Sequence, residues 1–390
     1  MKKRWIIIIF VLLLTGCWDR NELTEIGMVA AIAVDKDSKT GEFEVTSQFL
    51  RPAAESTLTP SPERPYLLVS TTGNTIFEAQ RKSNQSTDRH GFFAHNKVVI
   101  ISEEVAREGL MPVLDSMIRG KEVRGHVWLC IARGVKAKEV LDIKSDNISR
   151  IPAIYLESLN SNAEQGTATL NLLTYFKDTL GQGINPVAGV LTIEKTETEP
   201  FERVRLSGGA VFHEDRLKGF LNEKEIRGYH WITSTEVAQT GALSFPSELE
   251  KGKFVTVEVR EVQSTIKPEV KSETDISFTI EVYQEGRIAA EQAIGQFEER
   301  KQHVNYLHQV EEENKKLIEE EIDLVVKKAQ KEFEADIFGF GRALHKDYPH
   351  VWNKVKDNWD EMFTTVPYTV KSEVEIPSSL LIQGPFQPES

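Results

Sequence analysis

Two hydrophobic periods run along this chain. Residues 28–34 form a compact apolar run. After a polar turn at 35–41 come Phe43, Val45 and Phe49, set between Glu44, Thr46 and Gln48. A period of two marks a strand with one buried face, so these stretches predict a β-hairpin. Prolines with Ser and Thr make 52–65 a loop, and a strand resumes at 66–70. Thr75 and Glu78 have capping-box spacing and open a helix to Asn84. The strand 97–101 leads into a helix capped by Ser102, with Glu103 and Glu104 in its first turn. Gly109 ends that helix and Pro112 begins another. A strand at 126–132, helices at 135–141, 154–159 and 170–180, and a strand at 187–193 follow. This alternation predicts a mixed α/β arrangement.

The second half reads differently. Residues 208–212 and 217–221 suit a hairpin, and 223–231 a helix packed on it. Residues 254–266 and 276–282 alternate as antiparallel strands. Then Val304, Leu307, Leu317, Ile318, Ile322, Val325, Ala329 and Phe333 recur at steps of three and four, which predicts a helix over 303–333. Glu311-Glu312-Glu313 and Glu319-Glu320-Glu321 read as its solvated side. Asn314 interrupts the stripe and strict heptads are not sustained. The expectation is therefore an amphipathic helix across a sheet, not a coiled coil. Asp336-Ile-Phe-Gly-Phe-Gly341 ends the helix, its glycines permitting a sharp turn. Pro349 opens another helix with Val351, Val355 and Trp359 on one face, and 368–376 alternates as a strand with one wet face.

The N-terminus has its own pattern. Lys2, Lys3 and Arg4 precede an unbroken apolar run from Trp5 to Leu14, and Thr15-Gly16-Cys17 closes it. A spanning helix needs about 20 apolar residues, so this run is too short to cross a bilayer and has the layout of a secretory signal. Small residues directly before a cysteine resemble a bacterial lipobox. On that reading the signal is cut before Cys17, which carries a diacylglyceryl thioether and an N-acyl group. Two acyl chains hold a protein on a membrane far better than one. The expected organisation is a signal peptide at 1–16 and a lipid-anchored linker at 17–27. An N-terminal α/β domain follows at 28–198, with the charged, Pro200-bearing stretch 194–202 as linker. A small middle α+β domain spans 199–252, a C-terminal domain with the long helix and antiparallel strands 253–376, and a tail 377–390.

Charge narrows the partners. The chain carries 60 acidic against 47 basic residues, a net charge of −13. That balance argues against nucleic acid, which demands a positive footprint, and against broad adhesion to anionic lipid, which leaves anchoring to Cys17. Of the 2 cysteines, Cys130 sits in an apolar strand and reads as core filler, with no intrachain disulfide expected. No catalytic, cofactor or metal residues are expected. The histidines lack zinc spacing, and His90 and His95 flank Gly91-Phe-Phe-Ala94 without supporting thiols or carboxylates. No Gly-x-Ser-x-Gly elbow occurs, Gly181-Gln-Gly183 lacks a third glycine, and Asp336-Ile-Phe-Gly339 has no accompanying kinase motifs.

Three stretches together resemble the Ger(x)C lipoproteins, the C subunits of nutrient germinant receptors in bacterial spores. They are Leu14-Thr-Gly-Cys-Trp-Asp-Arg-Asn-Glu-Leu23, His95-Asn-Lys-Val-Val-Ile-Ile-Ser-Glu-Glu-Val-Ala106, and Ala335-Asp-Ile-Phe-Gly-Phe-Gly341 with Pro349-His-Val-Trp352 and Trp359. The resemblance implies three α/β domains with mixed sheets and no catalytic activity. It also implies anchorage on the outer face of the spore inner membrane, beside integral membrane A and B subunits. The nutrient would be held by a partner subunit, and Cys17 is the residue that carries over. The rival expectations are a lipoprotein that captures the nutrient itself, which needs a closed apolar pocket, and an exported cell-wall enzyme, which needs a cleft with perturbed acids.

Overall fold

A computed structural model describes residues 25–51, 64–120, 123–143, 149–195, 202–234, 241–293 and 300–377. Cys17, the signal peptide at 1–16, most of the expected loop at 52–65 and the tail from 378 onward lie outside the described residues.

The first sheet begins as an antiparallel meander of β1 (Ile26–Lys36), β2 (Phe43–Leu50) and β3 (Tyr66–Gly73), the hairpin that alternation predicts. From β1 it continues in parallel through β5 (Val98–Ser102), β6 (Trp128–Ala132) and β7 (Val187–Lys195). Antiparallel β8 (Glu202–His213) and β9 (Arg216–Leu221) complete it, and the short β4 (His90–Phe92) pairs beside the start of β1. Helices α1 (Ile76–Ser83), α2 (Glu103–Glu108), α3 (Met111–Arg119) and α6 (Leu172–Thr179) cover one face; α4 (Ala137–Leu141) and α5 (Pro152–Ser161) cover the other. Val29, Ile32 and Val34 face the first helix layer, while Ala30, Ala31 and Ala33 face the second. Burial on both sides is why 28–34 is an uninterrupted apolar run.

The second sheet has the order β10 (Gly241–Pro246), β11 (Phe254–Val270), β12 (Ile276–Glu291), β13 (Tyr368–Glu375). The first three strands are antiparallel, and β13 is parallel to β12. Helix α7 (Glu223–Thr233) and the long α8 (Arg300–Lys328) pack on it. At 29 residues, α8 is about 44 Å long. It closes with a π turn, Ala329–Phe333, before α9 (Phe340–Asp347), α10 (Pro349–Val355) and α11 (Trp359–Phe363). The fold is thus mixed α/β, with the long helix lying on a sheet as its periodicity requires.

The structure corrects several local expectations. Residues 194–202 join two strands paired in one sheet, from Val187↔Val211 to Lys195↔Glu202. Residues 199–252 are divided: β8 and β9 belong to the first sheet and β10 to the second. The strand β10 has no counterpart in the sequence reading; only Leu243 and Phe245 alternate inward there. Ser102 stands at the N-cap of α2 without a side-chain capping bond. Thr75 caps α1 by accepting from the Glu78 amide, but the Glu78 carboxylate accepts from Asn74, one residue outside the capping box. Cys130 is fully buried as expected, and burial pushes its thiol up to about 12.

Candidate functional site at the junction of the two sheets

Two buried carboxylates organise the region where the halves meet. The first is Glu321. It stands three residues after Ile318 and four before Val325, both fully buried, so it lies within the apolar stripe of α8. Its neighbour in space is α7. Gly228 lets the two helices approach: a Cβ there would stand 2.3 Å from the Glu321 carbonyl oxygen. The flanking side chains on α7 then reach the carboxylate. Arg227 donates from Nε to Oε2 at 3.0 Å and from Nη2 to Oε1, and the Trp231 indole donates to Oε2 at 2.9 Å. Two turns further along α8, Lys328 Nζ donates to both Glu225 oxygens at 2.9 Å and to the Phe220 carbonyl at 3.1 Å. Glu225 also completes a capping box with Asn222, so the start of α7 and its docking on α8 share one side chain. Charge-assisted bonds of this kind are stronger than neutral ones, and a buried carboxylate requires them.

The second carboxylate is Asp336, also fully buried. Its Oδ1 accepts from the amides of Phe338 (3.1 Å), Gly339 (2.9 Å) and Phe340 (3.2 Å). Its Oδ2 accepts from the Gly341 amide (2.8 Å) and the Trp359 indole (3.1 Å). Burial pushes this carboxyl above its ordinary range, while the Gly341 amide and the indole pull it back. The arrangement fixes the tight turn: Glu334 has φ 52° and Gly339 φ 85°. Phe340 and Phe278 stack at 4.7 Å, and Trp352 meets Trp359 edge-on at 5.6 Å.

This turn interlocks with the loop before β7. The Asn185 amide donates to the Asp336 carbonyl oxygen at 2.7 Å, and the Arg342 amide donates to the Gly183 carbonyl at 3.0 Å. Arg342 Nη2 donates to Asp178 at 2.6 Å, and the Trp352 indole donates to Gln182 at 3.0 Å. Gly183, at φ +74°, and Gly341 touch main chain to main chain; a Cβ on Gly183 would lie 2.5 Å from the Gly341 carbonyl carbon. The adjacent cleft, bounded by Gln182, Asn185, Glu214, Trp352 and Asp360, measures about 170 Å³. Ligand pockets are typically about 300 Å³ or more. On the outer side of β2 and β3 a shallow cleft of about 640 Å³ includes Arg51, Arg64, Lys138 and Asp142. Arg64 there pairs with Asp142, and Lys138 with Glu44.

Sequence reasoning placed the Asp336–Gly341 stretch as a turn but missed the interlock with Gly183 and the whole Glu321 network. The acidic run 319–321 reads as a solvated side, and for Glu321 that expectation is overturned. Glu311 and Glu319 are drawn in as well: Glu311 accepts from the Ile376 amide and Glu319 from the Ser372 hydroxyl. Asn314, read as an interruption of the stripe, is fully buried and donates to Gln284 at 2.7 Å. His90 and His95 are exposed, and among the described residues no group of three or more His, Cys, Asp or Glu could hold a metal ion. Among the described residues no helix is long and apolar enough to cross a membrane.

Comparison with known proteins adds the missing context. Residues 19–193 match the family model described as the spore germination protein N-terminal domain, and residues 207–379 match spore germination B3/GerAC like, C-terminal. Spore germination protein KC of Bacillus subtilis is 28% identical, with 98% of this chain and 96% of that protein covered. Spore germination protein YndF of the same organism is 27% identical over 95% of both. The crystal structure of the GerBC protein shares the fold at a TM-score of 0.58, with 22% identity, covering 89% of this chain and 97% of that one. The two matched segments together run through both sheets and the interlock between them, and on that ground the chain belongs to the GerAC-type family of spore germination proteins.

Proposed function

We propose that this protein is a non-catalytic, lipid-tethered subunit of a spore nutrient germinant receptor. The observation that carries the reading is the match to spore germination models along both halves of the chain, joined to the lipobox-like Leu14-Thr15-Gly16-Cys17. Cys17 carries the diacylglyceryl and N-acyl groups and holds the body on the outer face of the spore inner membrane. The partners are the integral membrane A and B subunits, one of which holds the nutrient. A tether confines the body to a thin layer beside them, and the raised effective concentration makes weak contacts sufficient. The junction supports a role by contact: its polar groups are turned inward, on the turn and the helix pair, so the architecture presents a rigid body to a neighbour.

Replacing Cys17 with Ala is expected to move the protein from the membrane to the soluble fraction of spores and to lower the germination response to nutrient. Full retention of the variant at the membrane would overturn the tether. Co-purification from detergent-solubilised spore membranes, followed by identification of what accompanies the chain, tests the partners.

A further inference from the structure

The residues nearest the tether form an unusual surface for so acidic a chain. Strands β1, β5 and β6 are parallel, so their starts lie at one end of the first sheet. The chain arrives at that end from Cys17: Glu25 is the first described residue, and its carbonyl accepts from the His90 amide. Eight peptide units separate Cys17 from Glu25, which even at full extension span no more than about 28 Å. This end therefore stays close to whatever holds Cys17.

Its exposed side chains combine cations with large apolar groups. Arg81, Arg89, Arg119 and Arg124 are exposed here, as are His90, His95 and His126. The acids among them are Glu25, Glu78, Asp88 and Asp115, with Glu78 paired to Lys82 and Asp115 to Arg119, in a chain whose net charge is −13. Phe77 is 53% exposed, Ile118 52% and Leu173 65%. Arg81 lies over the Phe77 ring at 5.3 Å, and both border a groove of about 370 Å³ between α1 and α3. Val123 closes that groove, and two residues on, Gly125 accepts from the Leu173 amide at 2.8 Å. Apolar groups beside cations are what an anionic bilayer surface binds: the side chains enter the headgroup layer and the guanidinium groups meet lipid phosphates.

We infer that this end of the first sheet, with Phe77, Ile118 and Leu173 among Arg81, Arg89 and Arg124, rests on anionic phospholipid headgroups and sets the orientation of the tethered body. The inference rests on the reading of Cys17 as the anchor, and its test separates the two. Cys130 is buried, so the chain from Cys17 to Ser390 can be coupled through Cys17 alone to vesicles bearing a maleimide lipid, which supplies a tether by chemistry. Hydroxyl-radical footprinting is then compared on phosphatidylglycerol and phosphatidylcholine vesicles. Modification of Phe77, Ile118 and Leu173 is expected to fall by about threefold on the anionic vesicles, and the R81E/R89E/R124E variant to lose that protection. Phe254 and Leu324, exposed on the other half, serve as internal references that stay unchanged. Equal modification on both vesicle types overturns the inference. Native protein lacking lipid at Cys17 would sink the tether alone, leaving this comparison readable.

Discussion

Glu321 and Asp336 are both wholly buried carboxylates, fifteen positions apart, yet they are satisfied by opposite means. Asp336 is bound by main-chain amides two to five residues ahead of it and by one indole. Glu321 is bound by side chains about ninety residues away, on another helix. The first is a local device that dictates the shape of a turn. The second is a tertiary device that dictates which helices dock. A side-chain partner can be exchanged together with its mate, whereas main-chain amides cannot be removed. The two sites should therefore respond differently to mutation.

The largest effect is expected for Asp336→Ala, which leaves four amides and an indole unpaired in the core. A loss of about 5 kcal/mol in unfolding free energy, read by urea denaturation, follows from the cost of buried unsatisfied donors. Next is Gly183→Ala, where a Cβ at positive φ meets the Gly341 main chain. Left-handed strain and overpacking together give about 4 kcal/mol. Glu321→Ala should cost about 3 kcal/mol, because breaking a buried pair strands its partner. Here the comparison becomes sharp. In a W231F background, which removes the indole donor to Glu321, R227M/E321L should keep stability within about 1 kcal/mol of W231F alone, since an apolar pair of similar volume replaces a buried ion pair without loss. Failure of that rescue would break the distinction. No second-site change should rescue Asp336→Ala.

An effect of the same order as Glu321→Ala, felt only in acid, is one of pH. His230, on α7 beside the Glu321 network, donates from Nε2 to the Thr167 carbonyl at 3.0 Å, and burial lowers its pKa to about 4. Its pKa in the unfolded chain is the ordinary 6.5, so below that value the unfolded state takes up a proton that the folded state refuses. The stability due to neutral His230 is thus complete above pH 6.5. It declines as pH falls towards 4, by up to about 3 kcal/mol, and levels off below. His230→Gln, which can still donate to Thr167, should flatten that part of the stability profile relative to the parent.

Much of this was legible in the sequence, and what was not has a physical reason. The hairpin of β1 and β2 shows in its alternation because one period describes each strand. The long helix shows in its stripe. Glu321 was hidden because three glutamates in a row look like solvent, although its spacing from Ile318 and Val325 places it with them; spacing outweighed residue type. β10 was hidden because Leu243 and Phe245 are its only inward apolar pair between a glycine and a proline. The interlock at Gly183 could not be read at all, since a contact between two main chains leaves no side-chain pattern behind. Cys17 is legible as a motif, because a cysteine after small residues at the end of an apolar run is a pattern of sequence alone.

Where Gly183 meets Gly341, nothing stands between the two backbones. Joints that swivel carry side chains that can slide or change rotamer as the angle alters; this seam has none to spare. The two halves are consequently welded at that spot, so displacing the turn after α8 carries the loop before β7 with it. A body made this way would move as one piece when pushed, as a lever does, and keep its own form while doing so.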